Sequence, residues 1–124
     1  MEQNEEKKEQ ALEQGEVVIA DEVVAIIAGI AATEVEGVDS MDGGWSGEII
    51  SRMGIRDLSK GVKLEIEDGH VSVALTLNVR YGYSIPKVSR NVQDKVSQAI
   101  ESMTGLSVLD VNIKIAGVVT KEDE

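Results

Sequence analysis

The side chains that most often carry catalysis or bind metals are scarce in this chain. The sequence has one histidine, His70, and no cysteine. A zinc site needs a set of cysteine and histidine ligands, and a catalytic serine needs a histidine to take its proton. His70 lies beside a predicted hairpin turn, where we expect a solvated imidazole. The acidic residues are spread along the chain, so we expect no enzyme activity, no metal and no cofactor.

Glycines surround the single tryptophan in residues 43–47, and the segment superficially resembles a phosphate-binding loop. It lacks both the Lys-Ser/Thr pair of a Walker motif and the GxGxxG spacing that follows a strand. We interpret it as a loop that presents one large aromatic side chain, since tryptophan, methionine and arginine are enriched at protein interfaces. The alternative is that Trp45 folds down over the edge of the core.

Basic and apolar residues follow this loop. Between residues 51 and 63 four basic residues accompany one acid, Asp57, and Lys87, Arg90 and Lys95 form a second basic group. If the two groups lie side by side, they make a positive patch suited to an acidic protein surface or to anionic lipid headgroups. A scatter of solvated charges is the alternative. The predicted partner-binding residues are Trp45, Ile49, Arg52, Met53, Arg56 and Lys60.

Composition excludes several classes of protein. The 124 residues are enough for one domain. Its core must be largely aliphatic, because the chain has no phenylalanine. A formal charge of −11 opposes nucleic-acid binding, which depends on neutralising phosphates. The longest apolar run, residues 23–32, is shorter than the roughly 18 residues of a membrane span. The lack of cysteine fits a reducing compartment, so we expect a cytoplasmic protein.

Three regions differ in composition. Residues 1–14 hold few apolar side chains and many acids, which predicts a disordered acidic arm. Residues 15–119 alternate between helical and strand patterns and are predicted to form a single domain. Residues 120–124 are predicted to form an acidic tail.

Apolar periodicity predicts the elements of this domain. Residues 17–20 read as a strand that leads directly into a helix over residues 21–36, which ends at Gly37. A second helix runs from Pro86 to about Thr104 and ends at Gly105.

A hairpin lies between the two helices. Residues 62–67 and 71–79 alternate apolar and polar side chains around Asp68-Gly69, which is a strong hairpin signal. A last strand follows the second helix to about Gly117, although Leu109 breaks its alternation.

The predicted order is β-α-β-β-α-β in an α+β, two-layer domain. One mostly antiparallel or mixed sheet carries both helices on one face. We expect the other face to show Ser72, Ala74, Thr76 and Asn78, which are polar enough for water and small enough to receive a partner.

Several short motifs are spread over about residues 15–119. They are Gly15-Glu16-Val17-Val18-Ile19 with Val23, Ile30-Ala31-Ala32 with Glu34-Val35 and Gly37-Val38, Tyr81-Gly82 before Ile85-Pro86, and Thr104-Gly105-Leu106 with Val108, Val111-Asn112-Ile113 and Gly117-Val118. In their order and spacing they resemble the alkaline shock proteins and Gls-type general stress proteins of Gram-positive bacteria.

The resemblance implies a non-catalytic protein-interaction module of the envelope stress response, without a cofactor. It implies cytoplasmic proteins, some of which a membrane-anchored protein holds at the inner face of the cell membrane. We expect the module to bind a protein partner, such as a membrane-anchored family member, and to form a homo-oligomer. Some paralogues resemble regulators of fatty-acid synthesis that act on an enzyme partner. A nucleic-acid-binding α+β domain and an enzyme with a small-molecule pocket under the glycine-rich loop are further alternatives.

Overall fold

The computed structural model describes residues 17–47 and 54–120, and for Ile55 and Arg56 it describes the backbone alone. The predicted arm at residues 1–14 and residues 121–124 of the predicted tail lie outside the described residues. In chain order the elements are helix α1 (Asp21–Thr33), strand β1 (Val38–Met41), a 3-10 helix (Ile55–Ser59), strands β2 (Val62–Glu67) and β3 (His70–Arg80), helix α2 (Ile85–Thr104) and strand β4 (Ser107–Val119).

The α+β class, with a mixed sheet and two helices, is confirmed, but the predicted position of the first strand is wrong. Residues 17–20 form no strand, and Val17 is 83% exposed. The first strand is instead β1, which follows α1 and pairs with β3. Residues 38–41 show no clear alternation of apolar and polar side chains, so the sequence did not predict a strand there. Residues 17–20 have side chains that favour strands, but they pair with no strand of the sheet.

Helix α1 begins and ends for local reasons. Asp21 and Glu22 occupy its first turn, where acidic side chains oppose the helix dipole favourably. The helix ends at Thr33, three residues earlier than predicted. Beyond it Glu34 N–H donates to Ala31 O and Val35 N–H to Ala32 O, at 3.2 Å each, so the backbone tightens into turns.

Strand β3 is the centre of the sheet. Strands β2 and β1 both pair antiparallel with the same edge of β3, end to end, and β4 pairs parallel with its other edge. Thr76 marks the junction of β1 and β2, since its N–H donates to Gly61 O and its carbonyl accepts from Asp42 N–H, at 2.9 Å each. The predicted hairpin of β2 and β3 is confirmed.

Two irregularities interrupt the pairing of β3 with β4. The register skips Leu109 and then Ala116, each of which adds one residue to β4. The first skip explains why Leu109 breaks the alternation in the sequence, because a bulge shifts the following side chains by one position.

Helix α2 and the sheet enclose the core. Pro86 lies in its first turn, Ser84 is its N-cap, and Gly105 ends it in a left-handed conformation. Both helices lie against the face of β3 that carries Val71, Val73, Leu75, Leu77 and Val79. The remaining buried apolar residues come mostly from the helices, and they include Val24, Ala28, Ala31, Ala32, Val88, Val92, Val96 and Ile100.

Candidate functional surface

Trp45 belongs to the core, which corrects the interpretation of an aromatic side chain presented to a partner. Its side chain is 0% exposed. The indole Nε1 donates to Lys60 O at 3.2 Å, so the polar edge of the ring is satisfied inside the protein. Helix α1 admits the ring at Gly29, where a Cβ would lie 2.8 Å from Trp45 Cζ2. The alternative reading, in which Trp45 folds over the core edge, is the one observed.

The other predicted partner-binding residues are only partly described. Ile49, Arg52 and Met53 lie outside the described residues, as does the side chain of Arg56. Lys60 is exposed, and its Nζ lies 3.2 Å from Asp57 Oδ1. Only Trp45 and Lys60 of the predicted set have described side chains, so the role of the set in binding stays a prediction.

Of the first basic group the structure describes the side chains of Lys60 and Lys63, and Lys63 does not lie beside the second group. Lys63 pairs with Ala74, on the face of the sheet that the helices leave uncovered. Lys87, Arg90 and Lys95 belong to α2, which lies on the opposite face. Lys95 Nζ also approaches Glu34 Oε1 at 4.0 Å. The described basic residues fit the alternative of scattered solvated charges.

A polar hollow of about 560 Å³ lies beside the glycine-rich loop. Its charged groups are Asp39 and Arg80, and Arg80 Nε lies 3.7 Å from Asp39 Oδ1. Ser40 and Ser46 add hydroxyls, but the described lining holds no histidine or second carboxylate to act as a base for them. The hollow offers hydrogen-bonding groups without a nucleophile and base pair. The described residues that line it are Thr33, Val38, Asp39, Ser40, Gly44, Ser46, Gly47 and Arg80.

The uncovered face of the sheet, which we call the open face, carries small side chains along β3. Ala74 lies at its centre, between Lys63 of β2 and Asn112 of β4. A shallow hollow of about 380 Å³ surrounds Ala74. The small residues of β3 therefore form the floor of a groove between two rows of longer side chains. These rows are Lys63, Glu65 and Glu67 on β2, and Asp110, Asn112 and Lys114 on β4.

Hydrogen bonds hold the groove in place. Asn112 Nδ2 donates to Asp110 Oδ1 at 3.1 Å, and Ser72 Oγ donates to Asp110 Oδ2 at 3.5 Å. Near the other end of the face, Asn78 Nδ2 donates to Ser40 Oγ at 3.1 Å. The floor and the β4 wall are thus tied together by side chains, which favours a preformed surface.

Two exposed apolar side chains were missed as candidates. Leu109, at the bulge of β4, is 64% exposed and lines a hollow of the open face with Ser72 and His70. Tyr81, at the end of β3, is 75% exposed. For Leu109, the broken alternation in β4 could have predicted an exposed side chain. For Tyr81, its position directly after the last alternating residue of β3 could have done the same.

A sequence model of the alkaline shock protein 23 family, described as having a cell envelope-related function, matches residues 9–120. The chain belongs to this family. The match extends over all the described helices and strands.

Similar proteins of this family come from two bacteria. The uncharacterized protein YqhY of Bacillus subtilis is 41% identical over 104 residues, which are 84% of this chain and 77% of that protein. The uncharacterized protein Spy1535 of Streptococcus pyogenes is 36% identical over 109 residues, which are 87% of this chain and 82% of that protein. A stress response regulator gls24 homolog of Streptococcus pyogenes is 28% identical over 112 residues, and the match spans 61% of its length.

Membership of the alkaline shock protein 23 family implies a stress-response, cell envelope-related role. Among residues 17–47 and 54–120, no helix is long and apolar enough to cross a membrane. No group of three or more His, Cys, Asp or Glu side chains in the described parts is placed to hold a metal ion.

Proposed function

We propose that this domain is a non-catalytic protein-interaction module of the cell-envelope stress response, and that its open face binds the partner. One observation carries the proposal: both helices within residues 17–47 and 54–120 cover the same face of the sheet, and the other face holds a groove of small side chains between two charged rows. A sheet buries its apolar face, whereas this second face is polar and suits contact with another protein.

The charge pattern of the groove favours a protein over a nucleic acid. The rows mix Lys63 and Lys114 with the acids Glu65, Glu67 and Asp110, so neither row presents the continuous positive charge that a phosphate backbone needs. The open-face residues that the structure describes include no Phe, Tyr or Trp, and His70 beside the hairpin turn is their one aromatic ring, whereas single-stranded RNA is commonly bound by stacking on several sheet aromatics. Mixed charges instead favour one protein surface over another by complementarity.

The cell envelope-related function of the family favours a partner from the cell envelope. If this partner is anchored in the membrane, it would hold the module at the inner face of the membrane. A regulator of fatty-acid synthesis that acts on an enzyme partner would use the same face, and only the identity of the captured protein separates these roles.

A matched pair of positions tests the proposal. A photo-crosslinking residue at position 74 would be compared with one at position 98, since Ala74 lies in the groove and Gln98 is exposed on α2. We expect a discrete adduct from position 74 alone. The captured protein would then be purified, and its affinity measured for wild type, Ala74→Glu and the control Gln98→Glu, which makes the same change of charge.

Loss of binding in Ala74→Glu alone, with unchanged thermal stability, would support the open face as the docking surface. Equal affinity of the three proteins, or an adduct at position 98 alone, would exclude it.

A further inference from the structure

Strand β4 has a long free edge. Its thirteen residues pair with β3 on one side, and no strand within residues 17–47 or 54–120 pairs with the other side. The opposite border of the sheet is better protected, because β1 has four residues and β2 carries the exposed charges Lys63, Glu65 and Glu67. A long edge with unpaired backbone groups is a template for a further strand.

The register with β3 shows which backbone groups of β4 face away from β3. The N–H of Ser107 donates to Gly69 O, and the carbonyl of Val119 accepts from Tyr81 N–H. Continued through the register, Asp110, Asn112 and Lys114 bond to β3, and Val111, Ile113 and Ile115 turn their N–H and carbonyl groups away from it. An independent contact agrees, since Val111 O accepts from the Gln93 Nε2 of α2 at 3.1 Å and is therefore turned to the outside.

We propose that β4 pairs with β4 of a second copy of this chain, antiparallel and centred on Asn112. In this register Val111 and the partner's Ile113 form a hydrogen-bonded pair through their outward backbone groups, and Asn112 lies opposite Asn112 of the partner subunit. Residues directly opposite in an antiparallel pair lie on the same face, so Asp110 meets the partner's Lys114 on the open face. The two-fold axis produces this ion pair twice.

The charges select this register over its neighbours. A shift by two residues keeps the outward backbone groups opposite each other, but it places Asp110 or Lys114 against Asn112 of the partner subunit and removes both ion pairs. The regular stretch from Asp110 to Ile115 lies between the two bulges and supplies the straight backbone that the pairing requires.

The pairing joins the sheets of two copies into one. The helices of both copies then lie on the same side, and the two open faces form one continuous surface. Val111 O already accepts a hydrogen bond from the Gln93 side chain. A carbonyl oxygen can accept two hydrogen bonds, so Val111 O can also accept one from the second copy. This inference does not depend on the proposed partner, because the copies pair through the edge of the sheet.

Charge reversal in the full chain tests the register. In the proposed register, Asp110→Lys alone creates two pairs of facing lysines across the interface. Lys114→Asp alone creates two pairs of facing aspartates. By sedimentation equilibrium we expect either variant to dimerise about tenfold or more weakly than wild type, and an equimolar mixture of the two to form a heterodimer with wild-type affinity. Glu65→Lys, on β2, is the control and should leave dimerisation unchanged.

Introduced thiols provide a second readout, because the chain has no cysteine of its own. Asn112→Cys places two thiols opposite each other in a non-hydrogen-bonded pair about 4.5 Å apart between Cα atoms, which a disulfide spans. Mild oxidation should give a covalent dimer of Asn112→Cys but not of Ala74→Cys, on the central strand. A wild-type chain that stays monomeric at high concentration, or a mixture of reversed variants that fails to associate, would overturn the pairing and leave the proposed partner binding untouched.

Discussion

Gly29 of α1 and Trp45 of the following loop fit together without space for a methyl group. A Cβ on Gly29 would lie 2.8 Å from Trp45 Cζ2 and 3.1 Å from Leu58 O. The glycine therefore lets the helix backbone approach the indole ring, and the ring joins the loop to the 3-10 helix through its hydrogen bond to Lys60 O. This contact explains why the glycine-rich loop lies against the core.

Gly29→Ala should destabilise the protein although alanine is the better helix former. Alanine gains about 1 kcal/mol of helix propensity, whereas the clash forces the ring or the helix to move and costs about 1–3 kcal/mol. We expect a net loss of up to about 2 kcal/mol in the free energy of unfolding. In a Trp45→Phe background the smaller ring lacks Cζ2, so the loss should shrink, and an equal loss in both backgrounds would show that the contact is not responsible.

Trp45→Ala should destabilise the whole domain instead of removing one binding function. Truncating a fully buried tryptophan costs about 3–5 kcal/mol, and here it also leaves Lys60 O without its donor. Urea denaturation followed by circular dichroism measures the loss. In the wild type the single tryptophan should emit at a short wavelength that shifts to the red on unfolding. A near-wild-type midpoint for Trp45→Ala would contradict the buried position.

The sequence predicts elements well where periodicity is sustained and poorly where placement depends on distant partners. Helix α2 and the β2–β3 hairpin follow from long apolar patterns and from turn residues. Strand β1 has four residues and forms because β3 supplies an edge for it. The burial of Trp45 depends on Gly29, sixteen positions earlier in the chain, and no local pattern reports that contact. The same limit applied to Lys63 and the basic residues of α2, which lie on opposite faces of the sheet.

Ser84→Ala should remove the N-cap of α2. The Ser84 Oγ accepts from Lys87 N–H at 3.4 Å, and the first turn of α2 contains no acidic residue that could replace it. We expect a loss of about 0.5–1 kcal/mol in the free energy of unfolding, and Ser84→Asp should retain or raise stability because its charge opposes the helix dipole. Ser97→Ala, in the interior of the same helix, is the matched control and should change stability little in chemical denaturation. Equal effects of the two alanine substitutions would exclude a capping role.

Gly37→Ala combines backbone strain with a steric clash, and the chain offers a control that separates them. Gly37 has φ +98°, and a Cβ there would lie 2.7 Å from Val88 Cγ2 and 2.9 Å from Tyr83 Cδ1. Gly69 has φ +78° with nothing within 4 Å of its Cβ position, so Gly69→Ala measures the strain alone. We expect Gly37→Ala to cost about 2–4 kcal/mol and Gly69→Ala about 1–2 kcal/mol. Because Val88 belongs to α2 and is buried against the core, it has little room to move, so the difference should persist in Tyr83→Ala, where the aromatic clash is absent. Equal unfolding midpoints for Gly37→Ala and Gly69→Ala would show that the turn after α1 has room for a side chain.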